Sequence, residues 1–298
     1  VMDENKKIEK NFLKNYNNNN VFYEDKLYGP TLKYLKKQKH LNNPKVLLLL
    51  NSFINKNYPI CYVLTYKNII VGFVGTIFSK KIYLNKKILN CNIHSWMVDA
   101  RHRIASSMLF EKIKKKNCII TVLSSLPRLS KTFIKMGFKK LILKYKLVFI
   151  KKILKNNTNS NFYIIRNKVL IRSLLNKKLN KLHNDYLNNE YEKFIFGKNK
   201  LKENCFIIAK KTYKKKIFKT INIIYCSNPF FLKKNIINFY NNIEKSFDVS
   251  LCGEFYIRES NSLLKNSNGL SFIRNKQIYL NTIPKNFKFD LLYSEVDL

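Results

Sequence analysis

From Cys61 onward the apolar residues fall in runs that fit extended backbone. "CYVLTY" (Cys61–Tyr66) and "IIVGFVGTIF" (69–78) are rich in β-branched and aromatic residues, and the pair Lys67-Asn68 between them reads as a tight turn. A basic turn leads into "ILNCNIHSWMV" (88–98), so the three runs predict an antiparallel meander. The period then changes. Met108, Leu109 and Ile113 follow Ile104 at helical spacing, with lysines opposite. "CIITVL" (118–123) reads as a buried strand and "LPRLSKTFIKMGF" (126–138) as a helix closed by Gly137. "KKLILKYKLVFI" (139–150) reads as a long strand, and residues 1–45 as polar helices broken by "YGP" and "NNP".

The polar, Asn-rich "KKILKNNTNSN" (151–161) lacks periodicity and reads as a linker. Helix-like segments follow to about residue 189, then strands at 205–210 and 217–226. A helix over 229–247 has Pro229 in its first turn. Residues 249–257 read as a strand, 270–280 as a hairpin and 289–298 as a closing strand. The order loosely repeats that of the first half, without a repeat visible residue by residue. The expected division is 1–150, a linker 151–161, and 162–298.

Composition narrows the class. The chain has 298 residues, 46% of them hydrophobic, with 22 Phe and 18 Tyr, enough to bury a large core. Its 6 Cys have no CxxC spacing and sit in or beside apolar runs, which predicts buried free thiols, and no metal site is expected. The net charge of +39 raises the possibility of a nucleic-acid-binding protein, but the basic residues are scattered among Asn along the whole chain, as AT-rich codon usage would leave them. Such a surface attracts phosphates, anionic lipids and acidic substrates all the same. No apolar run is long enough for a membrane span, and the polar N-terminus does not read as a signal peptide, so the expectation is a cytoplasmic protein.

The segment carrying chemistry is "VDARHRIASSM" (98–108), where a strand gives way to a helix through two arginines and three small residues, Ala105, Ser106 and Ser107. Small residues at a helix start admit an anion to the main chain. An ordinary Ser-capped helix after a basic turn is the competing reading. Together with Gly137-Phe138 at the end of the next helix, this order of elements resembles the GNAT superfamily of acyl-CoA N-acyltransferases over about residues 45–150. Val98 and Arg103 match the family's V-x-P-x-Y-R-G-x-G-x-G/A pattern, and His102 stands at its aromatic position. Ser106 and Met108 replace the glycines of the turn, and Phe133 replaces the Tyr that often serves as general acid.

The resemblance implies a mixed α+β fold with a GNAT-like central sheet flanked by helices. It also implies a second, degenerate GNAT-like copy at 162–298, packed on the first as a pseudo-dimer. It implies acetyl-CoA, or another acyl-CoA, as co-substrate and direct transfer to an amine. Trp96, Met97 and Val98 would face the pantetheine, and Arg103, Ile104, Ala105, Ser106, Ser107 and Met108 the pyrophosphate, with Ser124 or Ser125 in contact as well. His94, on the same strand, is the candidate base, since an imidazole with pKa near ~6.5 suits proton transfer at neutral pH. Glu254 and Glu295 stand out as acids in apolar strands. Amino sugars or aminoacyl groups are the expected acceptors by analogy. An inactive GNAT fold used as a binding module is the alternative that Met108 and Phe133 favour.

Overall fold

The computed structural model describes residues 15–22, 25–38, 57–83, 86–123, 127–150, 161–186, 191–198, 203–214, 217–265 and 271–283. The meander forms as expected: β2 (Cys61–Tyr66), β3 (Ile69–Tyr83) and β4 (Lys86–Val98) pair antiparallel. Lys67 and Asn68 both adopt positive φ, the twist that suits a two-residue hairpin turn. Ahead of them lies β1 (Tyr16–Val21), an Asn-rich strand in a region that reads as helix. Asn has low strand propensity, and the whole of β1 is held by pairing with β2. "YGP" opens helix α1 (Tyr28–Lys37) rather than breaking a helix, because Pro is tolerated in a first turn, where N–H groups lack partners.

After β4 a 3-10 turn (Ala100–Ala105) precedes α2 (Met108–Lys114), so the α-helix starts later than the apolar spacing suggests. Ile104 is solvent-exposed and shares no face with Met108. Then follow β5 (Ile119–Val122), α3 (Ser130–Lys135) and β6 (Lys139–Phe149). Gly137, at φ 86°, ends α3 as expected: Phe138 N–H bonds the Phe133 carbonyl at 3.0 Å and Gly137 N–H that of Ile134 at 2.9 Å.

The second half contains β7 (Phe162–Ile165), α4 (Lys168–Leu174), α5 (Lys177–Asp185), β8 (Tyr191–Lys198), β9 (Glu203–Lys214) and β10 (Phe218–Cys226). It continues with α6 (Pro229–Lys234), α7 (Ile236–Phe247), β11 (Leu251–Tyr256) and β12 (Ser271–Leu280). Two strands, β7 and β8, escape the sequence pattern, and the helix over 229–247 is interrupted at Asn235. The expected hairpin at 270–280 is one continuous strand, because β12 pairs with β6 along its full length. The expected linker lies almost entirely, and the closing strand entirely, outside the described residues.

All the strands among the described residues join one twelve-stranded sheet in the order β1-β2-β3-β4-β5-β12-β6-β11-β10-β9-β8-β7. The order is a palindrome if β1–β6 are matched with β7–β12. Each half is an antiparallel meander followed by one parallel pair, β4 with β5 and β10 with β11. The last strands are exchanged, so that β12 lies beside β5 and β6 beside β11. The antiparallel β6–β12 pair sits at the centre. Neither half completes its sheet alone. A core of Ile119, Leu123, Leu143, Ile195, Phe206 and Ile278 draws on strands of both. All six cysteines are buried free thiols.

Candidate active site

The first-half site begins with a fault in β4. His94 pairs with Gly75 and Met97 with Phe73, so Ser95 and Trp96 together oppose Val74. Ser95 takes φ 52°, the left-handed conformation that such a β-bulge needs. An extra residue inverts the parity of every side chain after it. Before the bulge, Cys91 and Ile93 point into the core beneath α2 and α3. After it, Trp96 and Val98 do so, and Met97 joins the core beneath α1.

The bulge also parts two strands. Among the described residues β4 pairs with β5 only from Asn90–Ile119 to Ile93–Val122, and beyond Ile93 it has no partner on that edge. Asp99 N–H bonds the Val71 carbonyl at 2.9 Å on the β3 side. Backbone groups alternate direction along a strand, so Val98 turns its N–H away from β3 and toward the gap.

A cavity of about 1090 Å³ occupies this place, lined by the Trp96–Arg103 stretch, Ser106, Arg128, Leu129 and Thr132, with Gln38, Tyr66, Ile69 and Val71 on the other side. Three arginines, Arg101, Arg103 and Arg128, therefore line one cavity. Asp99 is held by α1: its Oδ1 accepts from the Tyr34 hydroxyl at 2.9 Å and from Gln38 Nε2 at 3.2 Å. Burial, reinforced by that carboxylate, pushes the Tyr34 phenol well above its usual range, so it stays a donor. His102 is fixed from the opposite side by a 2.7 Å hydrogen bond between the Tyr16 hydroxyl and Nδ1, with the Tyr66 ring 5.1 Å away.

The structure gathers part of the expected site. Trp96, Met97, Val98, Arg103 and Ser106 line the cavity. Ile104, Ala105, Ser107 and Met108 do not: Ile104 and Ser107 face solvent, Ala105 is buried, and Met108 packs on the core. Ser106 N–H already donates to the Arg103 carbonyl at 3.0 Å, so this stretch is not the open helix start that its small residues suggest. Ser124 and Ser125 lie outside the described residues, as does Glu295.

His94 is 3% exposed, on the face of β4 turned toward Gly75, and is not among the cavity's lining residues. Its Nδ1 lies 3.1 Å from Ser95 Oγ, while Nε2 has no hydrogen-bond partner among the described residues. Burial lowers its pKa to about 4, so the ring is neutral at physiological pH. Phe133 is a core residue, stacked on Tyr279 and tilted against Trp96. Glu254 is buried in the second half, accepting N–H bonds from Leu263 at 2.6 Å and Leu264 at 3.0 Å and a hydroxyl from Ser262. Burial raises its pKa and those bonds oppose the rise; its role is to staple a loop.

Asp99, Arg101, Arg128, Leu129 and Thr132 are cavity residues that the sequence reading did not single out. Arg101 and Asp99 lie inside the quoted motif and could have been found there. Arg128 lies across the gap, in the 3-10 turn Pro127–Leu129 before α3, and carries no motif signal.

The second half repeats the fault. β10 pairs parallel with β11 from Thr220–Leu251 to Ile223–Glu254, and Ile224 is then an extra residue opposite β9. Asn92 and Asn222 hold the same third position of the two parallel runs, each followed by Ile. Asn92 bonds Thr121 Oγ1 at 3.0 Å. Asn222 faces Gly253 instead and accepts from the Tyr145 hydroxyl across it at 2.7 Å.

No family model matches this chain, and no curated protein matches it in sequence. Solved structures do match in fold. A GCN5-related N-acetyltransferase from Anabaena variabilis superposes with TM-score 0.61 at 10% identity, covering 89% of this chain and 72% of its own. A GCN5-related N-acetyltransferase from Kribbella flavida gives 0.56 at 10% identity, covering 89% and 71%. A probable N-acyltransferase from Enterococcus faecalis gives 0.55 at 12% identity, with the same coverage. The chain has a GNAT-type fold: a mixed sheet flanked by helices, with the bulged fourth strand parting from the fifth.

Proposed function

We propose that this protein is an acyl-CoA-dependent N-acyltransferase that transfers an acyl group, acetyl in the simplest case, directly to an amine. The observation that carries the reading is the gap where β4 leaves β5, bordered by three arginines and by strand backbone turned inward. The fold likeness to N-acetyltransferases supports it. Acyl-CoA is a long polyanion ending in a thioester. The guanidinium groups of Arg101 and Arg103 suit its phosphates. The main chain of Trp96–Val98 suits the amides of its pantetheine arm, as an added strand would.

The chemistry follows from that placement. The amine nitrogen attacks the thioester carbonyl, a C–N bond forms, and the C–S bond breaks with the electron pair leaving on sulfur. A strand N–H aimed at the carbonyl oxygen stabilises the negative charge that develops there. The Val98 N–H, turned into the gap, is the group assigned to this. The proton leaves the amine through water in the open cavity, because the His94 ring faces away and its charged form is costly where it lies. The thiolate needs no dedicated acid, which is consistent with a phenylalanine at position 133.

The acceptor fills the side of the cavity bounded by α1, where Asp99 offers a carboxylate to a cationic amine, as an amino sugar or aminoacyl group would present. The two halves are read as copies of one domain, with the second degenerate: it keeps the bulge, at Ile224, but not the arginines of the first. The test is release of free thiol from acetyl-CoA with a panel of amino sugars and aminoacyl analogues. Acceptor-dependent thiol release supports the reading. Coenzyme binding without turnover across the panel would favour a binding module instead.

A further inference from the structure

The bulge in β4 decides which residue stands at the inner end of the cavity. β4 and β5 rejoin at the Ile93–Val122 pair. Of the β4 residues that line the cavity, Trp96, Met97 and Val98, Trp96 is nearest that closed end. The extra residue turns its ring to the face covered by α2 and α3. There it meets Phe110 edge-on, with ring centroids 4.8 Å apart, and Phe133 at 5.6 Å. Phe133 in turn lies 5.5 Å from Phe138 and stacks on Tyr279. Phe110, Phe133, Phe138 and Tyr279 are all buried, so the ground behind the indole is filled with packed rings.

A donor bound at this site has a direction. Its phosphates meet Arg101 and Arg103, beyond the C-terminal end of β4, and its arm enters the gap from there. The acyl group is at the opposite end of the donor, so it lies deepest, on the side of Ile93 and the indole. Trp96 and Val98 share a face, about 7 Å apart along the strand. From a carbonyl oxygen held by the Val98 N–H, that leaves room for a methyl or ethyl group before the ring and none for a chain of six carbons.

We infer that Trp96 sets the length of the transferred acyl group, restricting the donor to acetyl or propionyl thioesters. The inference rests on the transferase reading. A longer chain has to push the indole into rings that are already packed, and such overpacking is unfavourable. Removing the indole leaves an apolar hollow walled by Phe110 and Phe133, which suits a longer alkyl chain.

The test is calorimetric titration of wild type, Trp96→Leu and Trp96→Phe with coenzyme A, acetyl-CoA, butyryl-CoA and hexanoyl-CoA, which needs no acceptor and no turnover. Wild type should bind hexanoyl-CoA about tenfold or more weaker than acetyl-CoA. Trp96→Leu should bring the two within about threefold, each taken relative to coenzyme A. A purely structural role for the indole would weaken every thioester alike and leave their order as it was. Trp96→Phe keeps a ring against Phe110 and Phe133 and decides the matter if the Leu variant does not fold; it should bring butyryl-CoA up toward acetyl-CoA. Wild type that binds hexanoyl-CoA as tightly as acetyl-CoA, or folded variants that keep the wild-type order, would overturn the inference and leave the transferase reading standing. Wild type that binds not even coenzyme A would defeat that reading, and the inference with it.

Discussion

The ring of Phe133 lies 5.0 Å from that of Tyr279, nearly parallel at 26°. One belongs to α3 of the first half, the other to the exchanged strand β12. Trp96 on the cavity wall packs against Phe133 in turn, so a strand from the end of the described chain supports the site built by its beginning. Phe133→Ala should cost about 3–5 kcal/mol in chemical denaturation. Phe133→Tyr places a hydroxyl among rings in a fully buried position and should cost about 1–3 kcal/mol. Its turnover should stay within about tenfold of wild type, a barrier change of ~1.4 kcal/mol. A large gain in rate would show that a proton donor at 133 matters.

A methyl group at position 75 would overlap the His94 imidazole. Gly75→Ala should therefore destabilise by about 1–3 kcal/mol, the usual range for overpacking. His94→Ala removes the obstacle, so the double variant should be more stable than the sum of the single losses, by an interaction of about 0.5–3 kcal/mol. Strict additivity in a denaturant cycle would contradict the packing described.

His94 also gives the stability a pH dependence. Its folded pKa, about 4, lies below the unfolded value of 6.5. The unfolded chain therefore takes up a proton first on acidification. The stability tied to neutral His94 is complete above pH ~6.5 and is lost as the pH falls toward ~4, by roughly 3 kcal/mol. Glu254, whose pKa burial raises, works in the opposite direction. Unfolding curves of His94→Gln and wild type should converge toward pH 4; a constant difference between pH 7 and 4 would contradict this.

Tyr34 and Gln38 hold Asp99 at the cavity rim. Tyr34→Phe should leave acetyl-CoA affinity within about twofold. It should raise KM for the amine several-fold, because the group placed for the acceptor loses its anchor, worth about 1–2 kcal/mol. An effect on coenzyme affinity alone would move Asp99 to the coenzyme side.

The meander, the strand–helix–strand that follows and the Gly137 cap were legible because alternation and a left-handed cap are local signals. β1 was not, since "YNNNN" is extended only through its pairing with β2. Nor was β12, whose "IRNKQ" suggests a turn and is kept straight by β6 on its whole length. The bulge hid within "NIHSWMV", where reading through with period two puts Trp96 and Val98 on the wrong side. His94 was a candidate base because it lies on the same strand, but nearness along a strand says nothing about which face a ring takes. The arginine motif was visible, but Arg128 joins it only through tertiary packing.

The central claim is that acyl-CoA binds where β4 parts from β5, and Ser106 is a lining residue of that cavity in a turn where the fold should bear a larger side chain. The most direct measurement is the melting of wild-type and Ser106→Tyr protein with and without acetyl-CoA. At ~100 times the dissociation constant the ligand should stabilise wild type by roughly 2.7 kcal/mol, and Ser106→Tyr should melt normally but gain nothing. No shift for wild type at millimolar acetyl-CoA, or an equal shift for Ser106→Tyr, would contradict the account.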